Sequence, residues 1–530
     1  MGAGLLALAL TALSGAGLAW TWRDAMRTWS PLDRTGALVV VPGLLAFWSS
    51  IVGAIAGAPA LDWNGARLAP TVALVHGYAL YYPATSGPML STVYGPLAPF
   101  AFLPAAVFTT PTPALLCAAT ITVAFVVLPL LWFVWRTRSA HRASGLLAVV
   151  AWLGVCAALA RTRAGDMWLT MIHPDAPALG LGLLACAVLW AGAASPSPGR
   201  LRAAAVLATL GCGMKQVIVP LPAALGLLVW ATYGRRACLD YVRTLGLSAA
   251  VVAASVFVLG GPAAAVFNAF TIATHQPWIR PGLAGIRAGG ILLLGGMAES
   301  AAILVVAGML AWWIERRGER GWRVRLKERP WVAPLVVAAA LVPTSVLGAL
   351  KMGGDQNSFY SVYFAAAATA SILAWHGGTL PTKSWRRTFR VACYLYCAAN
   401  VALAWRAGRY DVSGRTGSPF VNPNQEAYEY LRRHPGETYF PWHPLAGLLA
   451  EGTLYHFDFA AFDRWLAGFP PTREHVLAHV PSGMRAIAST RRPWILGYFP
   501  EYSRESTRPD LPGWRVFAPA APETPASVTR

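Results

Sequence analysis

Apolar stretches close to the length of a bilayer crossing recur along this chain, and no other feature restricts its fold as much. Candidates are residues 36–58, 112–135, 289–314 and 331–350, each of 20 residues or more. About 20 consecutive apolar residues in a helix cross a hydrocarbon core. In lipid every backbone polar group must be satisfied inside the segment, which leaves helices or closed barrels. Apolar runs of this length are expected to be helices. Charge supports this: Asp, Glu, Lys and Arg make up 12% of the chain, about half the share usual in soluble domains. Mean hydropathy is +0.48.

The formal net charge of +20 does not mark a nucleic-acid partner, because the basic residues sit in short connectors. Arg23, Arg27 and Arg34 form one group, Arg136, Arg138 and Arg142 another, and the connector from Arg316 to Arg329 carries seven basic residues. Alternate connectors hold few: Arg67, Arg161, Arg163, Lys215, Arg280, Arg287 and Lys351. The positive-inside rule puts the first set in the cytoplasm and the second outside. The expectation is an all-α polytopic membrane bundle of about twelve spans, at 4–22, 36–58, 112–135, 144–160, 176–193, 203–213, 217–232, 245–261, 289–314, 331–350, 360–376 and 391–406. Residues 1–22 lack a basic leader before the apolar run and read as a first span rather than a cleaved signal. Segment 97–110 is expected to dip or lie at the surface. Span 203–213 is short for a crossing, and Lys215, Gln216, Pro220 and Pro222 interrupt the residues after it, so a broken helix lining a cavity is expected there.

This topology puts Asp62, Asp175, Lys215, Arg280, Asp355 and the C-terminal tail on one outer face. Residues 1–406 read as the transmembrane domain and 407–530 as a small extracytoplasmic α/β domain. The latter holds 12 of the 23 acidic residues. A helix with Asn422 as cap is expected through Arg433, then a strand at 437–440, helices at 444–451 and 473–489, and strands at 493–499 and 514–517. The seven cysteines lie in or beside apolar spans, without zinc-ribbon spacing or a disulfide framework. His475 and His479 read as surface histidines.

Residues 59–111 carry only two charges, Asp62 and Arg67, and a carboxylate at a membrane surface in an apolar loop is costly unless it serves a site. The same loop runs His76-Gly77-Tyr78-Ala79-Leu80-Tyr81-Tyr82-Pro83 and closes at Val93-Tyr94-Gly95-Pro96. It resembles the first extracytoplasmic loop of the C-type (GT-C) membrane glycosyltransferases. His173-Pro174-Asp175, Gly213-Met214-Lys215-Gln216 and Lys351-Met352-Gly353-Gly354-Asp355-Gln356-Asn357 are similar to later elements of that superfamily. The resemblance covers residues 60–400. It departs from the pattern in having a single acid at Asp62 where many members carry two, and in an extra span before that loop.

The resemblance implies transfer of a sugar from a polyprenyl-phosphate donor in the bilayer to an extracytoplasmic glycan, lipid or protein acceptor. Asp62 would serve as general base. Asp175 would share that role, position the acceptor or hold a divalent cation such as Mg or Mn. Lys215, Arg280 and Arg287 would receive the leaving phosphate, and Tyr82, Tyr94, His173, Asp355 and Asn357 would line the substrate. Each has a plainer reading: Asp62 and Asp175 as helix-start acids, Lys215 as a snorkelling side chain, Asp355 and Asn357 as turn residues. Glu299, within span 289–314, together with the helix break at 213–217, keeps a transporter or flippase open as the alternative.

Overall fold

The computed structural model describes residues 2–137, 144–161, 171–190, 197–279, 282–300, 308–309, 331–352, 356–377, 383–406 and 422–519. It is a helical membrane bundle with a small mixed sheet near the C-terminus. Among the described residues six helices are long and apolar enough to cross a membrane, and three shorter apolar helices accompany them. The expected spans fall on α1 (Gly2–Met26), α3 (Val40–Gly57), α5 (Pro111–Thr137), α6 (Ser144–Arg161), α7 (Asp175–Trp190), α8 (Pro198–Met214), α9 (Pro220–Tyr233), α10 (Arg235–Gly260), α11 (Gly282–Ser300), α12 (Val332–Ala349), α13 (Tyr360–Gly377) and α14 (Lys383–Arg406), with 301–307 and 310–314 of the span expected at 289–314 outside the described residues. Two further helices interleave, α2 (Pro31–Ala37) and α4 (Asp62–Val75). The segment at 97–110 forms a 3-10 helix, Pro99–Val107, of nine residues. At a rise of about 2.0 Å per residue this spans roughly 18 Å, too little for a crossing.

Helix α8 corrects the sequence reading of span 203–213. It starts at Pro198, which fits the first turn because the missing N–H has no helical partner there. Its 17 residues extend about 26 Å. The break after it is as expected: Lys215 is extended (φ −150°, ψ 129°) between α8 and a three-residue 3-10 turn, and α9 begins at Pro220.

The chain divides into two compact units. One comprises residues 1–57, 119–255 and 278–419 and contains most of the membrane helices. Small residues let its helices approach closely, as packing in lipid requires. A Cβ on Gly154 of α6 would lie 2.9 Å from the Cα of Cys397 on α14, and one on Gly211 of α8 would lie 3.1 Å from the Ala178 carbonyl of α7. Short helix α2 is fastened by Asp33, a residue not singled out from the sequence. Its carboxylate closes a capping box with Ser30, takes Arg390 Nη1 at 2.9 Å and accepts from the Tyr394 hydroxyl at 2.9 Å.

The other unit comprises residues 58–118, 256–277 and 420–530. Its sheet has strand order β1 (Thr438–Tyr439), β2 (Ala486–Ser489), β4 (Leu511–Ala518), β3 (Arg504–Arg508). β1 runs parallel to β2, and the other pairings are antiparallel. Helices α15 (Pro423–Arg433), α16 (Pro444–Glu451), α17 (Asp458–Leu466) and α18 (Arg473–Leu477) accompany it. Asn422 caps α15 as expected, its side chain accepting from the Gln425 N–H. Two expectations fail. The helix expected at 473–489 stops at Leu477, because Pro481 and Gly483 end it and Ala486–Ser489 joins the sheet. The strand expected at 493–499 is a 3-10 turn, Trp494–Tyr498, whose Ile495 N–H donates to the Asp458 carboxylate at 2.8 Å. Helix α17 and strand β3 have no counterpart in the sequence reading.

The first loop forms part of this unit. Trp63 packs edge-on against Trp442, Phe457 and Phe459, with ring centroids 4.7–5.8 Å apart. Met89 bonds to residues 456 and 457 through its backbone: its N–H donates to His456 Nδ1 at 2.9 Å and its carbonyl accepts the Phe457 N–H at 2.8 Å. Tyr78 bridges the Gly452 carbonyl and the Leu454 N–H. Packing of the partly buried Trp63 and burial of Met89 give the mostly apolar loop a core to join.

Candidate active site

In the helical unit, the second candidate acid is enclosed by two basic side chains. His173 and Pro174 lead into α7, whose first residue is Asp175, and Lys215 sits at the break after α8. Asp175 and Lys215 are 5% and 8% exposed. Lys215 Nζ pairs with Asp175 Oδ1, and His173 Nδ1 lies 2.5 Å from Oδ2. A carboxylate at a helix N-terminus also meets the positive end of the macrodipole. The extended backbone at Lys215 turns its side chain back toward the start of α7, which an uninterrupted helix would not do. The break itself is held from α12, where the Thr344 hydroxyl donates to the Val217 carbonyl at 2.8 Å.

In the other unit, Asp62 is the first residue of α4. Oδ2 accepts from the Thr490 hydroxyl at 3.0 Å and pairs with Arg491 Nη2 at 2.7 Å. The side chain is 13% exposed, against 48% for Arg491. The Arg491 guanidinium lies 4.0 Å over the Trp442 ring. Both partners of Asp62 come from the turn that leaves β2, a segment the sequence pattern of loop one gave no reason to connect. Gly65, one turn on, touches the tail so closely that a Cβ would lie 1.8 Å from Asn424 Oδ1.

Beside this pair opens a cleft of about 820 Å³, lined by Trp63, Trp442, Phe459, Phe462, Trp494, Asp458, Arg491 and Arg492 among others. Asp458, at the start of α17, is 3% exposed. Burial lifts its carboxyl to about 6, moderated by the Ile495 N–H and Arg491. Asp463 on the same helix is pushed up further by burial, to about 7, with Gln276 Nε2 as its donor at 3.3 Å. None of these residues was singled out from the sequence. The only signal was the clustering of Trp, Phe and Arg in the tail, which reads equally as core.

The remaining candidates scatter. Tyr82 and Tyr94 are half-buried in the unit that holds Asp62: the Tyr82 hydroxyl accepts the Ala79 N–H at 3.1 Å, and the Tyr94 carbonyl accepts from Tyr81. Arg287 is exposed on α11, and Asn357 lies in a 3-10 turn, Gln356–Phe359. Arg280 and Asp355 lie outside the described residues, as does the side chain of Glu299. His475 corrects the surface reading. It is 6% exposed, bonds the Gly87 carbonyl through Nε2 at 2.7 Å, and its ring lies 5.4 Å from that of His456 and 6.3 Å from that of His479. Burial pulls His456 down to about 3 and His443 to about 4, which fits neutral core histidines. Among the described residues no three His, Cys, Asp or Glu side chains gather as a metal site.

No family model matches the sequence, and no curated protein matches it. Solved structures do. A crystal structure of ArnT from Cupriavidus metallidurans bound to undecaprenyl phosphate superposes with a TM-score of 0.56 at 12% identity, covering 90% of this chain and 98% of that one. The apo form of the same ArnT gives 0.50 at 12% identity, over 90% and 97%. The chain shares the membrane fold of that ArnT. At this identity the likeness concerns architecture, and the chemistry has to be argued from the residues.

Proposed function

We propose that this protein transfers a sugar from a polyprenyl-phosphate donor to an extracytoplasmic acceptor, with the Asp62 carboxylate as general base. The observation that carries the proposal is the match along 90% of the chain to a fold crystallised with undecaprenyl phosphate. The loop-one acid suits the role, because two donors hold it instead of leaving it to bulk water. An acceptor hydroxyl attacks the anomeric carbon as the bond to the donor phosphate breaks, and its proton passes to a carboxylate in reach. Thr490 and Arg491 fix Oδ2, so the carboxylate is oriented before substrate arrives, which reduces the reorganisation the reaction needs.

The leaving phosphate needs cations. Lys215, held in place by Asp175, carries three N–H donors, and with Arg287 and Arg280 it is proposed to receive that charge. In this reading Asp175 and His173 position Lys215 and do not themselves meet the anomeric carbon. With the Lys215 ammonium paired to one oxygen of Asp175, that carboxylate is not free to hold Mg or Mn.

The test uses proteoliposomes given radiolabelled polyprenyl-phosphate sugars and a cell-envelope acceptor extract. Asp62→Asn is expected to lower transfer by about 10²–10⁴, the range a positioned base contributes. Undiminished transfer removes Asp62 from the chemistry. A wild-type protein that moves no sugar from any such donor overturns the assignment altogether.

A further inference from the structure

The cleft beside Asp62 combines aromatic walls with a few fixed charges. Its rings are in contact: Trp63 with Phe459 at 4.7 Å, Phe459 with Phe462 at 5.5 Å and Phe462 with Trp494 at 6.1 Å between centroids. Polar groups sit at defined points on this apolar lining. Asp458 is buried and accepts the Ile495 N–H, Arg491 is shared between Asp62 and the Trp442 face, and Arg492 is exposed and makes no ion pair among the described residues. The volume of about 820 Å³ falls in the range of small-ligand pockets, about 300–1,000 Å³.

A hydrocarbon chain gains nothing from a buried carboxylate and two guanidinium groups, and those groups lose solvation against it. A sugar uses all three kinds of surface: its C–H faces lie on aromatic rings, its hydroxyls donate to a carboxylate, and an acidic substituent pairs with a guanidinium. Charge narrows the class. Asp62 already balances Arg491, and Glu505, the acid whose charge Arg492 feels, is held by Arg515 through two hydrogen bonds at 2.6 and 2.8 Å, which leaves the Arg492 donors to be met by the ligand.

We infer that the cleft between α17 and the 494–498 turn binds an acidic saccharide, one bearing a carboxylate or phosphate, with Trp494 and Phe462 under the ring, Asp458 on its hydroxyls and Arg492 on its charge. Resting on the glycosyltransferase reading above, this names the acceptor class. Arg491 belongs both to the cleft wall and to the ion pair with Asp62, so a saccharide seated here lies beside the proposed base.

The test is calorimetric titration of the full chain in detergent with trigalacturonate, with neutral maltotriose, and with phosphatidylglycerol vesicles. Trigalacturonate is expected to bind about tenfold or more tighter than maltotriose, the equivalent of one charge-assisted hydrogen bond. Arg492→Gln removes that preference and leaves maltotriose binding unchanged. Trp494→Ala weakens both sugars, in a protein whose melting temperature shows it is folded. Equal binding of the two sugars, no binding of either, or binding of the vesicles alone overturns the proposal. If trigalacturonate binds as described and no sugar is transferred from a polyprenyl-phosphate donor, the site stands and the enzymatic reading falls. If transfer occurs and Arg492→Gln changes no affinity, the reverse holds.

Discussion

Lys215 and Asp175 allow the sharpest separation of a structural pair from a catalytic one. Both side chains are almost fully removed from solvent. Two unit charges about 4 Å apart at an effective dielectric of 20 attract by roughly 4 kcal/mol, and much of that is spent on the desolvation of each ion. Losing one partner strands the other charge, which costs about 3–5 kcal/mol in buried pairs, whereas replacing both with groups of similar volume is close to neutral. Lys215→Met alone is therefore expected to destabilise the protein by about 3 kcal/mol or more. The Asp175→Asn/Lys215→Met double variant should recover most of that, with His173 still able to bond the new amide. A double-mutant cycle from reversible SDS unfolding in mixed micelles would report a coupling of about 2–4 kcal/mol. Assayed for transfer, the double variant should stay inactive, since the ammonium for the leaving phosphate is gone. Additive losses in the cycle would refute the buried-pair argument, and an active double variant would refute the phosphate role of Lys215.

Two more expectations concern the unit containing the tail. Gly65→Ala places a methyl group into Asn424, which is fully buried and contacts His443 and the Pro59 carbonyl. Overpacking of this kind costs about 1–3 kcal/mol against a gain of about 1 kcal/mol from helix propensity, so a lower melting temperature and faster proteolysis at loop one are expected, and an unchanged melt would show that the contact gives way freely. Asp463 is raised in the folded state to about 7 from 3.8, so its contribution to stability is complete below the unfolded value and is lost as pH rises through about 7, up to an order of ~4 kcal/mol. Asp463→Asn, which keeps an acceptor for Gln276, should therefore gain over the parent in thermal melts between about pH 5 and 8. A pH-independent difference would contradict the burial argument.

The membrane bundle was legible because its cause is local. Backbone groups have no partner in lipid other than their own helix, so each apolar run of the required length had to become one, and the described residues of each expected span fall on a helix. The break at Lys215 was legible for the same reason, from Pro220, Pro222 and a charge inside an apolar run. The tail was harder to read. At 473–489 the helical periodicity continues past Leu477, but Pro481, Gly483 and the sheet edge offered by β4 override it. At the 494–498 turn the carboxylate of Asp458, 37 residues before Ile495, takes the Ile495 N–H and favours a turn over a strand.

The sequence by itself determined that the chain crosses a bilayer many times, and it drew attention to Asp62, Asp175 and Lys215, because a charge beside lipid is expensive wherever it occurs. Which groups meet those charges was decided only by tertiary structure. Arg491 reaches Asp62 across 429 residues of sequence, and Asp175 and Lys215 meet because the start of one helix and the end of the next come together. Such pairings depend on non-local packing that leaves no periodic trace, and the aromatic cleft beside Asp62, assembled from loop one, α17 and the 494–498 turn, is of the same kind.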